Sequence, residues 1–372
     1  MPAREIPAHV IPAREIPPRQ LLRVALRPRR PRNFEIDAGG EVETPNAVSV
    51  GPSDDDEGGH YSVVKGLGQG GYGVVVEVVH DTSKRRFAMK VVAKKDTPHR
   101  INGKPFGLEQ DIMNKMGPSP FTLNCHSMFE TKFSACMVTD LLSGNDLFYH
   151  NSIRLRETGT GFSEDETRVL LAEVTLALEY MHTEGFIHRD VKMENVMLDA
   201  EGHVKLIDFG LACECNLTDE IVPMPSSGTL SHMAPELVQD NTGGRHTDWW
   251  AVGVLTFEML TGSCPWSSQR NVFSIKREIL SRNVISPPAA SSPDARHFIA
   301  SLLQKDFRRR LGSASDSEVK EAPFFSVVDW GRTAILESPS AFTPPACGYL
   351  DTKEQSEAME SYKSLLVEES ES

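Results

Sequence analysis

No run of about 18 consecutive apolar residues occurs in this sequence, so a membrane-spanning helix is not expected. The start of the chain lacks the continuous apolar stretch of a secretory leader, and its prolines and glutamates would spoil the amphipathic helix of an Arg-rich organellar presequence. Cysteine is scarce and scattered: Cys125, Cys136, Cys213, Cys215, Cys264 and Cys347 form no CxxC pair. A disulfide framework is thereby excluded, and reduced thiols in a cytoplasmic or nuclear compartment are expected. Cys213 and Cys215 have no second Cys/His pair at matching spacing, so they read as two incidental thiols rather than a metal site. An excess of positive charge is missing as well. The net charge of −13 argues against general affinity for nucleic acid. No oligomerisation signal is visible, and a monomer is expected.

What is present is an ordinary globular composition, 39% hydrophobic and 24% charged over 372 residues, enough for one large or two modest units. Residues 1–60 stand apart, rich in Pro and Arg, with PAREIP at 2–7 repeated at 12–17. Prolines break any helix there and apolar surface is too small to offset chain entropy, so a disordered arm is expected. Its arginines, from Arg4 to Arg32, suit a docking partner with phosphates or an acidic surface; a plain solvated tail is the other reading. From Tyr61 the pattern changes. Tyr61–Val64, Val74–Val79 and Phe87–Ala93 are β-branched runs parted by turns, and predict consecutive antiparallel strands. A helix is predicted over Leu108–Met116, stopped by Gly117-Pro118. Another follows over Glu164–His182, with Leu170, Leu171, Val174, Leu178 and Met181 on one side. Helical patterns then continue to about residue 311. The expected class is α+β, a small antiparallel β-rich lobe with one main helix and a larger α-helical lobe.

Three groups of residues carry chemistry. Gly68-Gln69-Gly70-Gly71-Tyr72-Gly73-Val74-Val75 fits GxGxxGxV. A dinucleotide fingerprint would open a helix at this point, whereas here β-branched residues follow and imply a second strand. Such glycines let backbone lie close over phosphates, and Val75 can pack on a base. Seventeen residues after Gly73, Lys90 ends the run Phe87-Ala88-Met89, within reach of α- and β-phosphates if a carboxylate holds it; Glu109, nineteen residues on, is the candidate. The third group is His188-Arg189-Asp190-Val191-Lys192-Met193-Glu194-Asn195, followed by Asp208-Phe209-Gly210.

With these motifs the sequence resembles the eukaryotic protein kinases over about residues 61–345. The resemblance implies a bilobal fold, an N-lobe of about 61–142 and a C-lobe of about 143–330, then a tail over 331–372 that is partly disordered. It implies transfer of the ATP γ-phosphate to protein substrates. Asp190 would orient the acceptor hydroxyl and take its proton, and Lys192 would neutralise phosphoryl charge. Lys90 and Glu109 complete the catalytic set, while Asn195 and Asp208 are hard ligands for Mg²⁺. ATP would contact Gly68, Gly70, Gly73, Val75, Ala88, Lys90, Asp146 and the hinge at Asp140 and Leu142, behind Thr139.

Further landmarks agree: Ala234-Pro235-Glu236, Asp248-Trp249-Trp250, and Arg310 as ion-pair partner of Glu236. Lys192 with Thr229 is the serine/threonine pattern, and Ala322-Pro323-Phe324-Phe325 with Ala341-Phe342-Thr343-Pro344-Pro345 resembles the AGC group. Asp146, Glu194 and Glu258 fall where arginine-directed members carry carboxylates, implying selection for arginine two and three residues before the acceptor. Departures from that group are clear. Pro225 stands where many members carry a phosphorylatable threonine, with Ser226 and Ser227 beside it and Arg189 available to a phosphate. The tail lacks a Phe-x-x-Phe motif, Leu365-Leu366-Val367 being followed by Glu and Ser. A non-catalytic scaffold of the same fold would usually lack the lysine, the loop aspartate or the metal aspartate; Lys90, Asp190 and Asp208 are all present.

Overall fold

The computed structural model describes residues 49–50, 60–70, 73–94, 107–131, 134–215, 221–224, 227–266, 271–281, 291–344, 356–357 and 359–363. Strands β1 (Ser49–Val50), β2 (Tyr61–Gly70), β3 (Gly73–His80), β4 (Arg86–Ala93), β5 (Cys125–Glu130) and β6 (Ser134–Thr139) form one antiparallel sheet in the order β1-β2-β3-β4-β6-β5. Side chains alternate across a strand, so register decides which residues share a face. Val75 pairs Lys90, Lys90 pairs Met137, and Ala88 pairs Thr139, which puts these residues on one face. The other face carries Val74, Val76, Val78, Met89, Val91, Cys136 and Val138, all buried in a second core.

Helix α1 (Gly107–Met116) belongs to this small lobe and ends where Gly117, at φ +73°, donates its N–H to Met113 O at 3.2 Å. The larger lobe contains α2 (Leu147–Thr158), α3 (Glu164–Thr183), α4 (Pro235–Asp240), α5 (His246–Thr261), α6 (Val272–Ser281), α7 (Pro293–Leu302), α8 (Ser317–Lys320) and α9 (Trp330–Ala334). Helix α3 starts on a capping box: Glu166 N donates to Ser163 Oγ and Ser163 N to Glu166 Oε2. Its predicted stripe, Leu170, Leu171, Val174, Leu178 and Met181, is entirely buried at the centre of the main core.

Two-stranded ribbons are set into this lobe. They pair β7 (Phe186–Ile187) with β10 (Cys213–Glu214), β8 (Val196–Leu198) with β9 (Val204–Leu206), and β11 (Val222–Pro223) with β12 (Thr242–Gly243). The β8–β9 ribbon brings Asn195 and Asp208, thirteen residues apart in sequence, to one end, extended by Ile207 N donating to Asn195 O at 3.0 Å.

Ser49–Val50, within the expected arm of residues 1–60, pairs with Tyr61 and Ser62 as an edge strand; the rest of that arm, apart from His60, lies outside the described residues. One expectation is corrected. The last long helix ends at Leu302, not near 311, and short turns follow because Asp306, Pro323 and Gly312 punctuate the chain. Two tail stretches pack on the lobes. The Arg154 guanidinium lies between the Phe162 and Phe342 rings, 4.7 and 5.2 Å from their centroids. Tyr362 is 2% exposed in the outer core of the small sheet, with Met359 against it.

Candidate active site

The floor of the cleft between the lobes is the loop after β7, and its backbone hangs from one buried carboxylate. Asp248, in the first turn of α5, accepts from His188 N at 2.9 Å and from Arg189 N at 2.8 Å. His182 Nε2 lies 2.9 Å from the same carboxylate, and its Nδ1 lies 3.0 Å from Asp316. These contacts sustain an unusual backbone, since Arg189 sits at φ +71°, a conformation that non-glycine residues adopt only when their surroundings impose it. His188 Nδ1 accepts from Asp190 N at 3.2 Å, so Nε2 carries the proton toward Ile207 O at 3.0 Å.

Asp190 emerges from this loop with every direction fixed. Its Oδ2 accepts from Lys192 Nζ at 2.7 Å and Asn195 Nδ2 at 3.0 Å, and its Oδ1 from Thr229 N at 2.9 Å. Burial pushes the carboxyl up, but the bonds from Lys192 and Thr229 outweigh it and hold Asp190 below the usual carboxylate range. Lys192 Nζ also donates to Thr229 Oγ1 at 2.8 Å. The approach of Thr229 depends on Gly228, at φ +113°, where an added Cβ would lie 3.0 Å from Arg189 O. Sequence reasoning gave Gly228 no role; the need for a glycine ahead of Thr229 becomes visible only where the two segments meet.

Both contacts of Asn195 to Asp190 use its amide nitrogen, which leaves Oδ1 as the atom able to ligate a cation. Asp208 is exposed, in a left-handed backbone conformation (φ +65°), and accepts from Gly210 N at 3.3 Å. From the sheet above, Lys90 Nζ meets Glu109 Oε2 at 2.8 Å, so the nineteen-residue spacing closes into an ion pair between β4 and α1. Val75 and Ala88 are half-buried on the same face as Lys90. Gly73 is obligatory by packing, because a Cβ there would lie 2.4 Å from Val91 O; one at Gly68 would meet no atom within 4 Å. Gly70 ends β2; Gly71 and Tyr72 lie outside the described residues.

At the hinge, Thr139 is buried at the end of β6 and the Asp140 side chain is fully engaged. It accepts from Asn124 Nδ2 at 2.7 Å and lies 2.7 Å from His126 and 3.6 Å from Lys205. Burial raises this carboxyl, but His126, Lys205 and Asn124 hold it below its ordinary value. Leu142 is buried, and among the described residues nothing takes up its N–H or C=O. Asp146 caps α2 by accepting from Tyr149 N at 2.7 Å; burial, then the Glu194 charge, pushes its carboxyl up.

Arg189 reaches the activation segment, donating from Nη2 to Ser227 Oγ at 2.7 Å and from Nη1 to Leu211 O at 3.2 Å. Thr218, Pro225 and Ser226 lie outside the described residues, as do Leu365-Leu366-Val367. Lys115, near the end of α1, pairs with Glu214 of β10. Behind the segment, Arg310 makes a two-pronged buried pair with Glu236, at 2.7 and 2.9 Å.

The protein kinase domain family matches residues 61–325. A protein named as a probable serine/threonine-protein kinase in Dictyostelium discoideum is 36% identical over 286 residues, 77% of this chain and 60% of that protein. The human ribosomal protein S6 kinase alpha-4 is 36% identical over 303 residues, 78% of this chain but 38% of its own length. A RAC family serine/threonine-protein kinase homolog of Dictyostelium discoideum is 33% identical over 320 residues, 86% of this chain and 68% of that protein. The chain therefore spans less than two thirds of each of the first two relatives, 60% and 38%. With the bilobal α+β architecture and these matches together, the chain belongs to the eukaryotic protein kinase family, on its AGC-like serine/threonine branch.

Proposed function

We propose that this chain transfers the γ-phosphate of ATP to serine or threonine hydroxyls of proteins. The observation that carries the reading is the convergence of Lys192, Asn195 and the Thr229 N–H on one carboxylate, Asp190. Phosphoryl transfer needs positioning and charge stabilisation more than strong acid–base chemistry. A carboxyl held below its usual range is a weak base, so Asp190 first orients the acceptor hydroxyl. It takes the proton late, as the hydroxyl oxygen bonds to phosphorus and ADP departs with the electron pair of the broken P–O bond. Lys192 offsets the charge on the moving phosphoryl group.

Lys90, braced by Glu109, would hold the α- and β-phosphates beneath the turn carrying Gly68, Gly70 and Gly73. Val75 and Ala88 would flank adenine, whose edge suits the untaken N–H and C=O of Leu142 beside Asp140, with Asp146 at the rim. Asn195 Oδ1 and the Asp208 carboxylate fit Mg²⁺ by donor type, two hard oxygens with the other positions left to phosphates and water. When bound, the ion would supply charge neutralisation across the phosphates.

Selection for upstream arginine is part of the proposal. The Asp146 carboxyl is raised by burial and by the neighbouring Glu194 charge, a strain that an incoming guanidinium would relieve. A cytoplasmic or nuclear location is proposed on cysteine usage, six scattered cysteines with no CxxC pair. A monomer, and a docking role for the arginines of residues 1–60, are proposed on composition alone.

Phosphorylation of a positional-scanning serine peptide array with Mg²⁺ and ATP tests these readings together. Wild type is expected to exceed Asp190→Asn by about 10²–10⁴-fold, and peptides with arginine at the two upstream positions should dominate. Activity equal to that of the variant would overturn the enzyme reading; selection for acidic residues would overturn the substrate reading alone.

A further inference from the structure

The hinge begins at Asp140, and the side chain of that residue gathers partners from both lobes. Asn124 Nδ2 donates to Asp140 Oδ2 at 2.7 Å and Asn124 N at 3.2 Å, while Asp140 N donates back to Asn124 O at 3.2 Å. Ser119 N orients the Asn124 amide by donating to its Oδ1 at 3.0 Å, which leaves Nδ2 for the carboxylate. His126, on β5 of the small lobe, places Nε2 2.7 Å from Asp140 Oδ1, and its ring packs edge-on to Phe87 with centroids 5.0 Å apart. Lys205, on β9 of the large lobe, brings Nζ to 3.6 Å from Asp140 Oδ2 and donates to Ser119 O at 3.5 Å.

These contacts sit where the lobes share backbone. Leu206 N donates to Phe121 O at 2.8 Å and Leu123 N to Leu206 O at 3.0 Å, so β9 grips the chain just ahead of β5. Thr139, one residue before Asp140, pairs with Ala88 on one side and Cys125 on the other. Asp140 is therefore held to the small sheet by backbone and to β9 by charge. Burial opposes that charge, yet His126, Lys205 and Asn124 outweigh it and keep the carboxyl below its ordinary value. Asp208 follows Lys205 by three residues, at most about 10 Å of chain. One stretch of backbone thus references both the hinge and the carboxylate suited to the metal.

We propose that Lys205 and His126 are positioning residues for adenine, acting through the Asp140 side chain to hold the hinge backbone in place between the lobes. A carboxylate tied from both sides fixes the start of the segment whose Leu142 N–H and C=O suit a base. Held so, the segment takes the base without first being ordered; released on one side, it is ordered only on binding, and affinity falls. The partners of Asp190 are a separate set, Lys192, Asn195 and Thr229, so the transfer step is left intact. The proposal rests on reading Asp140–Leu142 as the adenine site.

Titration calorimetry on the full-length chain measures the affinity for MgATP and for adenosine, with kcat and peptide KM measured beside it. Adenosine carries no phosphate, so it reports the base site alone. Lys205→Met and His126→Leu are each expected to weaken adenosine and MgATP by the same factor, about three- to tenfold, the worth of one net hydrogen bond. Peptide KM, and kcat at saturating ATP, should stay as in wild type. Lys205→Arg keeps the charge and should bind both ligands as wild type does. Unchanged adenosine affinity in Lys205→Met and His126→Leu overturns the proposal. So does a loss for MgATP without one for adenosine, which places the effect at the phosphates. A change in kcat or peptide KM as large as the loss of adenosine affinity shows general loosening and overturns it too. Wild type in which adenosine fails to displace ATP overturns the hinge as the adenine site, and this proposal with it.

Discussion

Asp190 owes its direction to a residue without a side chain. Thr229 N reaches Asp190 Oδ1 because Gly228 turns the activation segment through φ +113° directly against Arg189 O. Gly228→Ala would force a side chain into that backbone conformation, at a cost of about 1–3 kcal/mol. Relieving the strain moves Thr229 away, so kcat is expected to fall by about tenfold or more while peptide KM changes little. Steady-state kinetics beside a thermal melt separate the two effects; a variant that melts lower with unchanged kcat would show that Thr229 N is not needed. At this scale much was legible. Lys90 and Glu109 could be paired from sequence because a strand and the following helix share one spacing. Gly228 and Asp248 could not, since their partners Asp190, His188 and Arg189 lie 38 to 60 positions away and only folding brings them together.

The loop carrying Asp190 is rigid because α3 and α5 clasp it through His182, Asp248 and Asp316. Burial opposes charge on His182, yet Asp316 and Asp248 outweigh it and push the imidazole up to about 9. The folded value is raised above the unfolded one, near 6.5 for histidine. Its stabilising contribution is therefore complete below about pH 6.5 and declines until pH passes about 9. The melting temperature of wild type should fall between pH 7 and 9.5 by more than that of His182→Gln; equal falls would assign the loss to other groups. Helix α3 itself was plain in the sequence, since Leu170, Leu171, Val174, Leu178 and Met181 recur with helical period along Glu164–His182. Of the ribbons of β7 to β12 only a short strand and turn ahead of Asp208 was legible, because two or three residues carry no readable period.

Across the whole molecule, two separate stretches of the tail pack on the two lobes. Phe342 stacks with Arg154 on the large lobe, and seventeen and twenty residues later Met359 and Tyr362 lie on the outer face of the small sheet. Ser361 Oγ donates to Gln69 Oε1 at 2.9 Å, which links this stretch to the glycine-rich turn. The sequence shows no Phe-x-x-Phe motif in this tail, and Tyr362 supplies a buried ring there. Tyr362→Ala should destabilise the small lobe by about 3 kcal/mol and raise the KM for ATP, through looser packing of β2 and β3. Limited proteolysis with ATP kinetics checks both, and an unchanged melt would show the anchor to be idle.

Transfer itself decides the larger question. An ¹⁸O-labelled γ-phosphoryl group on ATP, offered with Mg²⁺ and otherwise identical serine, threonine and tyrosine peptides, reports by mass where each phosphate goes. The labelled group is expected on the serine and threonine peptides and absent from the tyrosine peptide, with transfer by Asp190→Asn slower by about 10²–10⁴-fold. Wild type that leaves all three peptides unlabelled, or labels them no faster than Asp190→Asn does, would contradict a catalytic Asp190.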